Sequence, residues 1–182
     1  MQGRKIKNIL SILAVSIALL APAMSANAQE LAARKHGTVL EQIENSNLKQ
    51  SQKSRVQEIL DYAYQFRGVP YRHGASSPRA FDCSGFTSYV FKRFGVSLDR
   101  SSGGQINDGK RVSRGDLQPG DLVFFNGRAI SRTRIGHVGI VTQVNDDSTF
   151  KFIHAARGGI KVSESTEKYY SRRYMGACRV VD

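Results

Sequence analysis

The chain has 182 residues, 40% hydrophobic and 23% charged, which suits one domain and excludes a polytopic membrane protein or a fully disordered chain. Lys and Arg number 27 against 15 Asp and Glu, a formal charge of +12 that favours anionic surroundings. Two cysteines are too few for a disulfide scaffold or a Cys-rich zinc site, and no internal repeat is visible.

Arg4, Lys5 and Lys7 precede an apolar run from Ile9 to Leu20, followed by Pro22 and Ala26-Asn27-Ala28. A basic head, an apolar middle and an A-x-A end predict a secretory signal peptide over residues 1–28, against the rival reading of an uncleaved anchor. The apolar run is short for a stable membrane span, so none is expected after cleavage. No Cys near the cut offers a lipid attachment site. Cleavage removes three basic residues and no acid, so the exported chain stays strongly basic. Export turns that charge toward cell-wall polymers or membrane surfaces rather than nucleic acid.

Residues 29–53 are polar, hold His36, and read as a loosely ordered leader or short helix ahead of a domain over 54–182. Val56, Ile59, Leu60, Ala63 and Phe66 fall at helical spacing, with Ser54 as the expected cap and Gly68 as the stop. Pro70 and Gly74 turn the next stretch into loop. A second helix is expected from Asp82 or Cys83 to Gly95, with Phe86, Val90 and Phe94 on one face. Residues 99–120 contain five Gly and read as loop. Strands are predicted at 121–125, 137–144, 149–154, 160–162 and 176–181, with a turn at Asn145-Asp146-Asp147-Ser148. Helices first and antiparallel strands second make an α+β domain.

Cys83 lies in Phe81-Asp82-Cys83-Ser84-Gly85-Phe86, where loop becomes helix. Free N–H groups and the positive end of the helix dipole favour a thiolate there, and a thiolate is the nucleophile of cysteine hydrolases. The alternatives are an inert buried thiol or a disulfide to Cys178, which sits in an apolar terminal strand. A nucleophilic thiol needs a base and a group that orients the base. If Val144 faces Thr149 across the hairpin, His154 faces Gly139, and the two-residue period puts His137 and Gly139 on one face. His154 can then meet the far ring nitrogen of His137; the alternative is two unrelated polar residues at strand ends. Zinc held by Cys83, His137 and His154 is the weaker use of these residues, since no short ligand spacing is present.

These segments together resemble the NlpC/P60 family of cell-wall peptidases. The resemblance rests on Val69-Pro70-Tyr71-Arg72-His73-Gly74, the Cys83 segment, Arg100-Ser101-Ser102 with Gln105, Pro119-Gly120-Asp121-Leu122-Val123-Phe124-Phe125, Gly136-His137-Val138-Gly139-Ile140-Val141 and Phe152-Ile153-His154-Ala155. The tail from Tyr169-Tyr170 to Arg179-Val180 looks most like a murein endopeptidase branch. The resemblance implies a papain-like α+β fold, with N-terminal helices packed on an antiparallel sheet, and a periplasmic or secreted enzyme. It implies Cys83 as nucleophile, His137 as general base and His154 as the orienting residue. It implies Tyr71 near the oxyanion, and Asp82, Ser84 and Ser101 or Ser102 as substrate contacts. The implied reaction is hydrolysis of peptidoglycan stem peptides, the D-Ala–diaminopimelate crosslink ahead of the D-Glu–diaminopimelate bond, and it takes no metal and no cofactor. A related Cys-His amidase and a non-catalytic wall-binding protein are the rival functions. The chain departs from the family pattern at His73, which is thereby expected near the cleft, and at Asp99. Arg128, Arg132 and Arg134 form a basic loop ahead of His137, a candidate for substrate choice or a plain solvated loop.

Overall fold

The computed structural model describes residues 26–181 and falls into two compact units, Met1–Leu48 and Lys49–Asp182. The expected signal sequence lies outside the described residues up to position 25. No helix among the described residues is long and apolar enough to cross a membrane.

Helix α1 runs without a break over Ala26–Tyr64. This corrects the expected start at Ser54, which lies inside the helix rather than at its cap. Residues 29–53 lack an apolar face, but they are rich in Gln, Lys, Glu, Leu and Ala and contain no Pro, so backbone propensity alone carries the helix. In the first unit Leu40, Ile43 and Leu48 are 60%, 51% and 56% exposed, as expected of a helix held by propensity and not by packing. In the second unit the same helix buries Ile59, Leu60 and Ala63.

After α1 come a two-residue hairpin, β1 (Ser76–Ser77) and β2 (Ala80–Phe81), then helix α2 (Cys83–Lys92). A one-turn helix α3 (Ser102–Gln105), strand β3 (Lys110–Val112) and a 3₁₀ turn at Arg114–Asp116 fill the region expected to be loop. They are too short and too polar to show a hydrophobic period. Strands β4 (Leu122–Phe125), β5 (His137–Val144), β6 (Phe150–Ala156) and β7 (Gly159–Glu164) follow. The one-turn helix α4 (Lys168–Ser171) precedes β8 (Tyr174–Arg179). Strands β3 to β8 form one antiparallel sheet in the order β3-β8-β4-β5-β6-β7. The α+β class is therefore as expected.

Alternation along the strands gives the sheet two apolar faces. Leu122, Phe124, Val138, Ile140, Ile153 and Ala155 pack with Ile59, Leu60 and Ala63 of α1 and Phe86, Val90 and Phe91 of α2. The intervening residues Val123, Phe125, Val141, Phe150 and Phe152 pack on the other side with Leu117 and Tyr170. Each fully buried Phe stabilises the fold by about 1.5–3 kcal/mol. Both helices thus sit on one side of the sheet, while the other side is a layer of aromatic rings.

Candidate active site

Asp82 sets the start of α2. Its backbone is extended (φ −90°, ψ 178°), and its Oδ1 accepts the Gly85 N–H at 2.7 Å, the geometry of an N-cap. Gly85 is there because the preceding loop presses on the helix. A Cβ at that position would lie 2.2 Å from the Ala75 carbonyl oxygen. The same loop pairs Tyr71 with Phe81 in an isolated bridge, which draws Tyr71 to the helix start.

Both Asp82 oxygens are engaged by the protein. Arg100 donates from Nη1 to Oδ1 at 3.0 Å and from Nη2 to Oδ2 at 2.7 Å, and the Gly74 N–H reaches Oδ2 at 2.9 Å. Burial pushes the Asp82 pKa up, but the Arg100 hydrogen bonds and the Gly85 N–H outweigh it, so the carboxyl stays below its ordinary range. Arg100 Nη1 also donates to Ser84 Oγ at 3.1 Å. Asp82 and Ser84 are both buried, and they form the foundation under Cys83.

The Cys83 thiol is partly exposed and free, as is the buried Cys178, so the two are not joined in a disulfide. Cys178 Sγ donates to the Gln105 carbonyl at 3.3 Å inside the core. The helix start favours a thiolate, but other groups act on the same sulfur. Burial pushes its pKa up, and the adjacent Asp82 charge adds to this. Hydrogen bonds from the Val138, Ser84 and Cys83 N–H groups oppose the rise without overcoming it. The cap that makes the helix also places a negative charge beside the sulfur.

Cys83 packs against the core cluster that holds Val138, the residue after His137, so the starts of α2 and β5 converge. His137 Nε2 and His154 Nδ1 are 2.9 Å apart, with the ring planes at 89°. The hairpin reaches this arrangement by a route the sequence did not indicate. Val144 pairs with Phe150, not Thr149, around a loop in which Ser148 has φ 61°. A bulge between Val141 and Gln143 then shifts the register back, so Ile140 pairs with Ile153. Gly139 makes the room. A Cβ there would lie 2.6 Å from Phe152 Cδ2 and 3.1 Å from His154 Cβ.

Burial weighs against the charged form of both imidazoles. Burial lowers the His137 pKa to about 4. His154 lies well below its ordinary value through burial, then through His137 and Lys161, its cross-strand partner on β7. His154 is fully buried among Phe152, Tyr170 and His137.

A cleft of about 930 Å³ opens over His137 and Tyr71. His73 lines it, as do Arg128 of the basic loop, Arg157, Lys161 and Tyr169. Ser101 caps α3, its Oγ accepting the Gly104 N–H at 3.0 Å, and Ser102 is buried in the first turn. Three residues carry more of the site than the sequence indicated. Arg100 grips Asp82. Gln105 is fully buried and donates from Nε2 to the Ser84 carbonyl at 3.0 Å, joining α3 to α2. Tyr170 places its hydroxyl 3.4 Å from His154 Nε2. Arg100 and Gln105 flank Ser101 and Ser102 in the sequence with no pattern that gives them a role, and nothing in the sequence pointed Tyr170 at a histidine.

A profile of the NlpC/P60 family matches residues 68–179. The Murein DD-endopeptidase MepS/Murein LD-carboxypeptidase of Escherichia coli (strain K12) is 39% identical over 125 residues, 68% of this chain and 62% of that protein. The Probable endopeptidase p60 of Listeria grayi is 44% identical over 96 residues, 53% of this chain and 18% of that protein. This chain therefore spans less than two thirds of either relative's length. Among solved structures, an NLP/P60 family protein of Staphylococcus aureus superposes with a TM-score of 0.62 at 33% identity, covering 71% of this chain and 42% of that one. With the profile matched over more than half its length, and with this fold, the chain belongs to the NlpC/P60 family.

Proposed function

We propose that the chain is an exported cysteine peptidase that hydrolyses peptide bonds of peptidoglycan stem peptides, the D-Ala–diaminopimelate crosslink first. The observation that carries this is the 2.9 Å bond between His137 and His154, with the helix-start Cys83 packed on the core cluster that holds Val138, the residue after His137. With Nε2 committed to His154, only His137 Nδ1 is left to take a proton from Cys83. A thiol pKa pushed up and an imidazole pKa pushed down favour proton exchange between the two groups over a standing ion pair.

In this mechanism His137 removes the Cys83 proton as the sulfur attacks the substrate carbonyl. The Cys83 backbone N–H and the Tyr71 hydroxyl stabilise the oxyanion. Burial, then the neighbouring Cys83 and Asp82, raise the Tyr71 pKa, so the hydroxyl keeps the proton it must donate. The protonated His137 returns the proton to the leaving amine. A water that gives its proton to His137 then frees the acyl group. Arg128, Arg157 and Lys161 line the same cleft and suit the carboxylates of stem peptides.

The choice of bond is supported by the MepS relative, whose name specifies a murein DD-endopeptidase. Export through the N-terminal signal gives access to that substrate in the periplasm or outside the cell. The test is digestion of defined muropeptides by wild type and Cys83→Ala, with products read by mass spectrometry. Cleavage at the D-Ala–diaminopimelate bond, lost in the variant, is the expected result. Release of intact stem peptide from the glycan would make the chain an amidase. Undiminished digestion by Cys83→Ala would end the thiol mechanism.

A further inference from the structure

The basic loop between β4 and β5 is folded on itself. Asn126 at its base is buried, and its Nδ2 donates to the Ser131 and Arg134 carbonyls at 2.8 Å each, while its Oδ1 accepts the Ser131 N–H at 3.2 Å. The two ends of the loop cross at glycine, where a Cβ on Gly136 would lie 2.8 Å from the Gly127 Cα. The Gly127 carbonyl accepts the Tyr169 hydroxyl and Arg173 Nε, each at 3.3 Å. Arg128 follows Gly127 as His137 follows Gly136, so both leave the same fixed neck.

The turn between β6 and β7 supplies a second guanidinium. Ala156 pairs with Gly159 around Arg157 and Gly158. The Ile160 N–H donates to the Val69 carbonyl and the Gly68 N–H to the Ile160 carbonyl, both at 2.9 Å, which ties this turn to the segment that carries Tyr71. Arg128 thus enters the cleft from the His137 side and Arg157 from the Tyr71 side. Burial, with Cys83 and Asp82, raises the Tyr71 pKa, and the charges of Arg128 and Arg157 both oppose that rise. Among the described residues neither guanidinium has a hydrogen bond or an ion pair, whereas Arg100, Arg173 and Arg179 are each engaged. Glu167, the acid on the cleft lining, accepts the Glu164 N–H at 2.9 Å. Two planar donors open to a cleft are suited to a carboxylate, which each can bind through two N–H groups.

We propose that Arg128 and Arg157 are specificity-determining residues that clamp a carboxylate on the leaving-group side of the scissile bond, so that the cleft selects a substrate whose released amine and a free carboxylate share one carbon. This rests on the peptidase reading above and deepens it. In that mechanism His137 hands its proton to the leaving amine, so a group that shares the His137 neck faces the leaving residue. In the D-Ala–diaminopimelate crosslink the carbon bearing that amine also carries a free carboxylate. In the D-Glu–diaminopimelate bond of a tetrapeptide stem, and in the bond an amidase cuts, the corresponding carboxyl is tied up in the next amide. A site built to hold a charge rejects the analogue that lacks it.

The experiment uses two crosslinked muropeptides, one with the free carboxylate beside the scissile nitrogen and one with that carboxylate amidated. Cleavage by the full chain is followed kinetically, and binding of both ligands to Cys83→Ala is measured by calorimetry. Amidation is expected to lower kcat/KM and weaken binding about tenfold, the loss of a charge-assisted contact. Arg128→Gln combined with Arg157→Gln is expected to lose the same tenfold on the acid ligand and nothing further on the amidated one. Lys110→Gln, an equal loss of charge on the far edge strand β3, is expected to behave as wild type. Equal handling of the two ligands by the unsubstituted cleft overturns the proposal without any arginine variant. Equal weakening of both ligands in the double variant also overturns it, since that is diffuse attraction and not a clamp. Cleavage at the D-Glu–diaminopimelate bond ends the clamp and leaves the peptidase reading standing. If instead Cys83→Ala digests muropeptides like wild type while the two ligands still differ in affinity as stated, the thiol mechanism fails and the carboxylate site stands.

Discussion

His137 and His154 meet edge to face, with Nε2 and Nδ1 2.9 Å apart and the ring centroids 4.9 Å apart. The contact leaves the His137 ring little freedom to turn about its bond to the backbone. In the thiol mechanism that orientation decides whether Nδ1 points at the proton it must take.

His154→Ala is accordingly expected to lower kcat for muropeptide hydrolysis by about 10²-fold or more, with a small effect on KM, since a misplaced base forfeits general-base catalysis. His154→Asn keeps a hydrogen-bonding group at the same place and is expected to retain part of the rate. Steady-state kinetics of the two variants side by side check this. Equal losses would show that the site needs an imidazole there, not a positioned polar group.

The acid limit of activity should lie far below the ordinary titration of an imidazole. His137 must be neutral to act, and burial lowers its pKa to about 4. Activity is expected to be half-lost near pH 4 and to hold on the alkaline side through the usual thiol range near 8.5, because Cys83 is shifted upward. A pH profile of kcat/KM checks both limits.

Stability should fall over the same acid range. His137 binds its proton near pH 6.5 when unfolded and only near 4 when folded. Its contribution is whole above 6.5 and is lost as pH falls from 6.5 to 4, about 3 kcal/mol in all. Asp82, lowered in the folded state, adds a further loss at more acid pH as its carboxyl takes up a proton. Urea unfolding at pH 7 and pH 4.5 is expected to show a lower midpoint at the acid value.

Arg100 should matter to the site without touching the reacting atoms. Arg100→Ala leaves the buried Asp82 carboxylate without its paired guanidinium, which is half-exposed. Loss of the two charged hydrogen bonds is expected to cost about 2 kcal/mol of stability, measured by urea unfolding. The Asp82 pKa should rise in the variant, read by carboxyl ¹³C titration. Arg100→Lys, unable to bind both oxygens at once, is expected to restore only part of the loss.

Gly139→Ala tests the packing that brings the histidines together. The new methyl would lie 2.6 Å from Phe152 Cδ2 and 3.1 Å from His154 Cβ, so β6 or the rings must shift. A loss of about 1–3 kcal/mol is expected, the usual cost of overpacking. Activity should fall by more than thermal stability alone explains. Thermal unfolding and kinetics of the same preparation separate the two effects.

The α+β succession of elements was legible from local pattern, which also raised Cys83, His137 and His154 as candidates, and the resemblance to the NlpC/P60 family gave them their roles. Helix and strand periods, glycine stops and motif spacing are all short-range properties, and they survive folding unchanged. The polar start of α1 was legible only as a leader or short helix, because propensity without a strong apolar face leaves little period to read. The hairpin arithmetic began one residue off at the turn, and a bulge that no pattern announces returned His154 to the side of Gly139. Only the folded chain could bring Arg100 onto Asp82 or Tyr170 onto His154, since each pair is joined across segments of unrelated local structure. It also decided the direction of the pKa shifts. The helix start by itself favours a thiolate, but burial and the capping carboxylate, which exist only once the loop, helix and sheet have closed together, push the Cys83 pKa up, and burial pushes that of His137 down.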